Sequence, residues 1–204
     1  MNILLMDGLP EEYEGVEISA DFRNMIQVDL ILRDDKLSDI EKTMAALNQL
    51  YPVIPNDIQK AIDGLAWFSS RGQGGNESAG EVNQTQTKRG FCFEQDAGLI
   101  YSAFYSTYHI SLTTVEFLHW WEFMALFEGL PEDTLIKKVI YWRTADVTTM
   151  GKEERKHVLK MRKQFALKST EKPVLSAEEV ERKMKERMAQ RFAEAQATLE
   201  QKGG

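Results

Sequence analysis

The chain has 204 residues, 43% of them hydrophobic, 28% charged and 10% aromatic, enough for one substantial core or a core with an appended helix. Its formal net charge of -7 is repelled by phosphate backbones, which argues against nucleic acid as a partner. Cys92 is the only cysteine, so neither an intrachain disulfide nor a cysteine zinc cluster is possible, and it reads as a buried, inert thiol.

The run from Met1 to Met6 is apolar but short, lacks a basic flank and leads into Asp7, Glu11 and Glu12, unlike a secretory signal. No stretch approaches the roughly 20 apolar residues that cross a bilayer. Tyr13-Glu14-Gly15-Val16-Glu17-Ile18 alternates weakly around a glycine, predicting a short hairpin or an ordered arm. A helix follows from Asp21 to about Leu32, with Phe22, Met25, Ile26 and Leu30 on a broad apolar face. Ser38 and Glu41 open the next with a capping box, each side chain satisfying the other residue's free backbone N–H. Ile40, Met44, Leu47, Leu50 and Tyr51 recur at helical spacing until Pro52 and Pro55 end it. Asn56 and Gln59 are placed to cap a third helix through Ala61, Ile62, Leu65 and Phe68.

From 69 to 89 the composition turns to Gly, Ser, Asn, Gln and Thr, predicting a flexible polar loop. It divides an N-terminal arm and helical unit (1–68) from a central hydrophobic unit (90–167). Gly75 and Gly80 have the spacing of a phosphate-binding loop, but Glu81 and Val82 stand where lysine and a hydroxyl residue are needed.

Glu94 to Tyr108 reads as a helix carrying Leu99, Ile100, Ala103 and Phe104. Thr113 or Thr114 opens the next, through Val115, Phe117, Leu118, His119, Trp120, Trp121, Phe123, Met124, Leu126 and Phe127. It is apolar on nearly every side and belongs in the middle of a bundle. Gly129 is placed as its C-terminal cap. Pro131 fits the first turn of a further helix with Leu135, Ile136, Val139 and Ile140, and Glu132-Asp133 would there favour the helix dipole. Lys152 to Leu167 is a basic amphipathic helix, whose Arg155, Lys156, Lys160, Arg162 and Lys163 read as a solvated face first, a contact for an acidic protein second and one for nucleic acid last, since no interleaved aromatics support base stacking.

The last segment, 168–204, is a linker and an amphipathic helix opened by a second capping box, Ser176 with Glu179. Val180, Met184, Met188, Phe192 and Leu199 lie in a narrow arc that either docks on the chain's own core or binds a partner. The expected fold is all-α: a multi-helix bundle with a short extended or hairpin N-terminal arm and a long C-terminal amphipathic helix.

Charge is polarised along this chain. Up to Phe68 there are 13 acidic and 5 basic residues, a balance of -8; from Gly151 there are 14 basic and 9 acidic, a balance of +5. Head-to-tail self-association is one consequence. His109, His119 and His157 are far apart and lack metal-binding spacing. His119, among tryptophans, reads as a core histidine with one hydrogen-bond partner, within possible reach of Glu94, Asp96 or Glu122. No catalytic, cofactor or metal pattern is assembled, so the residues point to protein–protein binding.

Phe93-Glu94-Gln95-Asp96-Ala97, Leu99-Ile100-Tyr101-Ser102-Ala103-Phe104, the run from Leu118 to Leu126, Gly129-Leu130-Pro131-Glu132-Asp133-Thr134 and Tyr141-Trp142-Arg143 together resemble the bacteriophage gene-product-fifteen family of tailed phages and prophages of Gram-positive hosts. Asp21-Phe22-Arg23 fits the family's early pattern. The resemblance covers about Pro10 to about Leu167. Its core motif is Leu118, His119, Trp120, Trp121, Phe123, Leu126, Gly129 and Pro131. Trp142 departs from the small residue expected there, and Gly98 from a larger one. The resemblance implies genes in the tail-morphogenesis region, just before the tape-measure gene. It implies a tail assembly chaperone acting on the tape-measure protein in the host cytoplasm, or a structural tail component retained in the virion. It brings no catalytic residues and no cofactor.

Overall fold

The computed structural model describes residues 8–72 and 90–167. The predicted C-terminal helix, with Val180, Met184, Met188, Phe192 and Leu199, lies outside the described residues, as do Gly75, Gly80 and the rest of the polar loop from 73 to 89.

The weak alternation near the start forms a hairpin. Strands β1 (Glu12–Tyr13) and β2 (Val16–Glu17) pair antiparallel, with Tyr13 opposite Val16. Glu14 and Gly15 between them take φ of 49° and 78°, the left-handed two-residue turn that matches strand twist. Seven helices follow among the described residues: α1 (Phe22–Leu32), α2 (Asp39–Leu50), α3 (Ile58–Ser69), α4 (Ala97–Tyr108), α5 (Trp120–Glu128), α6 (Leu135–Thr144) and α7 (Lys152–Gln164). The described fold is thus mostly helical, with one small sheet.

Local chemistry sets most helix starts. Asp21 caps α1 by accepting from the Arg23 N–H. The Ser38–Glu41 capping box is formed on α2, and the Ser38 hydroxyl and backbone N–H hold the Glu41 carboxyl below its ordinary range. The third cap is Asp57, not Asn56: its carboxylate accepts from Lys60 N, while Gln59 bonds Asp63 along the helix. On α2 the buried face is Ala46, Leu47 and Leu50, whereas Ile40 and Met44 are exposed.

Three expectations in the central segment are corrected. α4 starts at Ala97, not Glu94, because residues 92–96 form a turn closed by Asp96 N–H to Cys92 carbonyl, with the Asp96 carboxylate engaged elsewhere. α5 starts at Trp120, not at Thr113 or Thr114. The backbone before it is committed to the N-terminal chain: Phe22 N–H donates to Leu118 carbonyl and Trp120 N–H to Ala20 carbonyl. A bridge between Asp21 and His119 lies between those bonds, so this stretch is extended and Phe117 is exposed. Pro131 lies in the turn before α6, not in its first turn, and its carbonyl accepts from the Thr134 N–H and hydroxyl. Glu132 and Asp133 accordingly precede the helix, and Glu132 pairs with Lys137.

Segments on both sides of the polar loop supply one core. Phe22, Leu47, Leu50 and Phe68 are buried with Phe93, Phe104, Phe123 and Ile136 in a single cluster. Phe123 is its aromatic centre, stacked on Phe22, Phe104, Trp120 and Phe127. α5 is therefore central, though Glu122, Ala125 and Glu128 give it one solvent face. No helix among the described residues is long and apolar enough to cross a membrane.

Gly64 marks a close approach. A β-carbon there would overlap the Tyr51 hydroxyl and come within 2.7 Å of the Tyr13 ring. That hydroxyl is fixed: it donates to the Ala61 carbonyl, and burial, reinforced by Tyr13, pushes its pKa up to about 12. Gly64→Ala is expected to cost about 1–3 kcal/mol in urea unfolding through overpacking.

Candidate functional site

The residues of the sequence motif converge where the N-terminal chain crosses the start of α5. Asp21 works in both directions: Oδ1 caps α1 and Oδ2 accepts from the Leu118 N–H at 3.4 Å. Arg23 pairs with Asp21 and donates through Nη2 to the carbonyls of Leu112 and Val115. The otherwise irregular 112–118 segment is thereby fastened to α1. The Asp-Phe-Arg triplet and the Leu-His-Trp-Trp run, distant in sequence, form one tertiary joint.

His119 is the N-cap of α5, a position that needs an acceptor for a free helix N–H. Its Nδ1 accepts from Trp121 N–H at 3.0 Å, leaving Nε2 to donate to the Pro10 carbonyl at 3.0 Å. The ring thus has two partners rather than the single one expected. Glu94 and Asp96 are not among them. Burial pushes its pKa below 6.5, opposed by the Pro10 bond and by the charges of Glu11 and Glu122. A lowered folded pKa means that the unfolded chain takes up the proton first. The stability gained from the neutral ring is fully present above 6.5 and is lost as pH falls through 6.5 towards the folded value. His119→Asn keeps a capping acceptor without a titration. Its urea midpoint is expected to fall less than that of the parent between neutral and mildly acidic pH.

The remaining motif residues divide between packing and turns. Leu118, Trp120, Trp121 and Phe123 are buried. The Trp121 Nε1–H donates to the Phe68 carbonyl at 2.9 Å. Leu126 is half-buried, and its carbonyl accepts from the Tyr108 hydroxyl. Gly129 ends α5 as its C-cap and Pro131 shapes the next turn.

A second polar centre was not legible as a pair in the sequence. Arg143 and Asp96 form a two-pronged ion pair, Nη1 to Oδ2 at 2.6 Å and Nη2 to Oδ1 at 2.9 Å, with side chains 7% and 4% exposed. Arg143 also donates to the carbonyls of Gly90 and Phe165, and Asp96 accepts from Cys92 N–H. One guanidinium thus ties the 90–96 turn, α6 and the end of α7 together. The signal was its position: Arg143 falls seven residues after Ile136 and four after Val139, on the buried stripe of α6. Arg162 of the predicted basic patch has a similar task, donating to the carbonyls of Trp142 and Ala145, while Arg155, Lys156, Lys160 and Lys163 are exposed.

His109 ends α4 in a left-handed conformation and His157 packs against Trp142, so neither joins His119. Among the described residues no group of three His, Cys, Asp or Glu is placed to hold a metal. Cys92 is buried.

Among the described residues, concave surface is found on either side of Phe91. An apolar groove of about 260 Å³ runs between α1 and α5, lined by Met25, Val28, Leu32, Phe93, Trp120 and Met124, with Asp29 and Ser69 at its polar positions. A hollow of about 430 Å³ on the other side mixes Phe127, Ile140 and Tyr141 with Glu128, Glu132 and Lys137. Sequence periodicity placed Met25 and Met124 on apolar faces but did not show that these faces leave a groove between them.

The comparison with curated proteins and the comparison with solved structures each find no significant match. The family model described as Bacteriophage Gp15 protein matches residues 5–167. That span takes in both joints, from Asp21 and His119 to Asp96 and Arg143, and it identifies this chain as a member of the Bacteriophage Gp15 protein family.

Proposed function

We propose that this phage protein is a tail assembly chaperone that acts by binding the tape-measure protein in the host cytoplasm, without catalysis, and departs before the virion is complete. The observation that supports this reading is the family match over residues 5–167, taken with the place its resemblance implies for the genes, beside the tape-measure gene. A tape-measure protein is long, helical and prone to aggregate until the tail tube encloses it. A helical binder present in many copies masks its apolar stripes and holds it soluble by mass action. The methionine-bearing arc Val180, Met184, Met188, Phe192 and Leu199 is the proposed contact, since flexible, polarisable side chains adapt to a repetitive partner.

The test is co-expression of the tape-measure protein with the full chain or with a chain ending before Ser176. The full chain is expected to raise the soluble tape-measure fraction several-fold, and the shortened chain to lose most of that gain. Equal solubility with both would remove the C-terminal arc from the account.

The second reading is a structural tail component retained in the virion. It draws on the large apolar side chains left exposed, among them Ile40, Val53, Phe117 and Leu135, which permanent interfaces would cover.

A further inference from the structure

We propose that the exposed basic face of α7 docks on the N-terminal hairpin of a second copy of this chain, in a head-to-tail contact that salt reverses.

The helix has one face committed and one open. Val158 is buried, and Arg162 donates to the carbonyls of Trp142 and Ala145, which fixes α7 on α6. Lys152, Arg155, Lys156, Lys160 and Lys163 are exposed. On the helix they fall within an arc of about 140°, with Glu153 and Glu154 outside it. Leu159, 42% exposed, lies inside the arc. None of these five cations is in an ion pair among the described residues, whereas Arg23, Arg33, Lys60, Arg71, Lys137 and Arg143 all are.

The hairpin carries a complementary pair. Tyr13 and Val16 face inward, Tyr13 against Trp67 and Val16 on the core. Alternation along the strands then turns Glu12 and Glu17 outward, directly opposite each other and exposed. Like charges so placed destabilise a hairpin, and a cation between them relieves that cost. Lys60 meets Glu14, but Glu11, Glu12 and Glu17 are in no ion pair among the described residues. Cross-strand β-carbons lie about 5 Å apart, and those of residues one helical turn apart, such as Lys156 and Lys160, about 5–6 Å. One pair of lysines therefore matches the pair of glutamates in spacing as well as in charge.

The contact joins two chains rather than closing within one. The hairpin packs on α3 and α7 on α6, and among the described residues no α7 cation pairs with a hairpin carboxylate. The two faces differ, so the contact is heterologous and repeats from copy to copy, into a ring or an open row. Exposed ion pairs are individually weak and are screened beyond about 8 Å at physiological ionic strength, so the association is weak and salt-dependent. The inference does not rest on the chaperone reading, since it invokes no other protein.

Sedimentation velocity of the full chain at about 0.05 M and about 0.5 M salt tests it. At low salt the average mass is expected to exceed that of one chain and to rise with protein concentration; at high salt it should return to one chain. Two charge-swapped variants follow, Lys156→Glu with Lys160→Glu, and Glu12→Lys with Glu17→Lys. All four positions are exposed, so circular dichroism and the urea midpoint should stay close to those of the parent. Each variant alone is expected to associate about tenfold more weakly. An equimolar mixture should restore association, because each altered face then meets an altered face of opposite charge. A chain that stays monomeric at low salt would overturn the inference. Association that survives both swaps would overturn it by assigning self-contact to another surface, and so would two variants that fail to restore each other. A monomeric parent whose capture of the tape-measure protein is lost in the α7 variant would overturn it by assigning the basic face to that partner, leaving the chaperone reading intact.

Discussion

Arg143→Met is expected to lower the unfolding free energy by about 3–5 kcal/mol, the range for removing one member of a buried ion pair. The replacement fills a similar volume, so the loss is electrostatic rather than a cavity. It leaves the Asp96 carboxylate buried against the Cys92 N–H alone and takes the donor from the carbonyls of Gly90 and Phe165. These three attachments belong to the 90–96 turn, α6 and the end of α7, so the destabilisation reaches beyond one helix. Asp96→Leu added to Arg143→Met is expected to recover part of the loss, because an apolar pair removes the stranded charge. Recovery stays incomplete, since Cys92 N–H and the two carbonyls remain without their partners. Urea unfolding of the parent, both single variants and the double variant measures this directly. A double variant no better than Arg143→Met alone would show that the backbone bonds, not the charge pair, dominate.

Phe123→Ala should cost a comparable amount, about 3–5 kcal/mol, by opening a cavity at the centre of the core. Phe123 is fully buried and its ring lies 4.8 Å from Phe22, 5.0 Å from Phe104, 5.8 Å from Trp120 and 6.3 Å from Phe127 between centroids. Those rings come from α1, α4 and α5, so a void there has no single side chain able to collapse into it. Phe123→Leu keeps most of the volume and should cost clearly less. Thermal and urea unfolding distinguish the two. The groove wall formed by Trp120 rests on Phe123, so the alanine variant should also loosen that wall.

What the sequence made legible was local. The Ser38–Glu41 capping box, the Tyr13–Ile18 hairpin and the apolar stripes of α1, α3 and α6 depend on neighbours within a turn or two, and each formed. The start of α5 was not legible because it is decided at a distance. Residues 115–119 have helix-compatible apolar content, yet the Leu118 backbone bonds to Phe22 and Asp21, the Val115 carbonyl to Arg23, and the next N–H, of Trp120, to Ala20. Position 96 shows the same limit. An aspartate there looked like part of a helix or a neighbour of His119, and only the packing of α6 reveals Arg143 as its partner. The groove at Trp120 is a shape between α1 and α5, and hydrophobic periodicity carries no information about whether two apolar faces close fully. The motif Leu118, His119, Trp120 and Trp121 was recognisable as a string, but its division of labour was not. One residue pairs the backbone, one caps a helix, one bonds to Phe68 and one lines a groove.

The central claim is a transient role in tail assembly, and quantitative mass spectrometry of purified virions beside the producing-cell lysate tests it most directly. The account predicts a chain abundant in the lysate, recovered there with the tape-measure protein, and absent from virions. A fixed, tail-like copy number in purified particles would contradict it and make this protein a structural part of the tail.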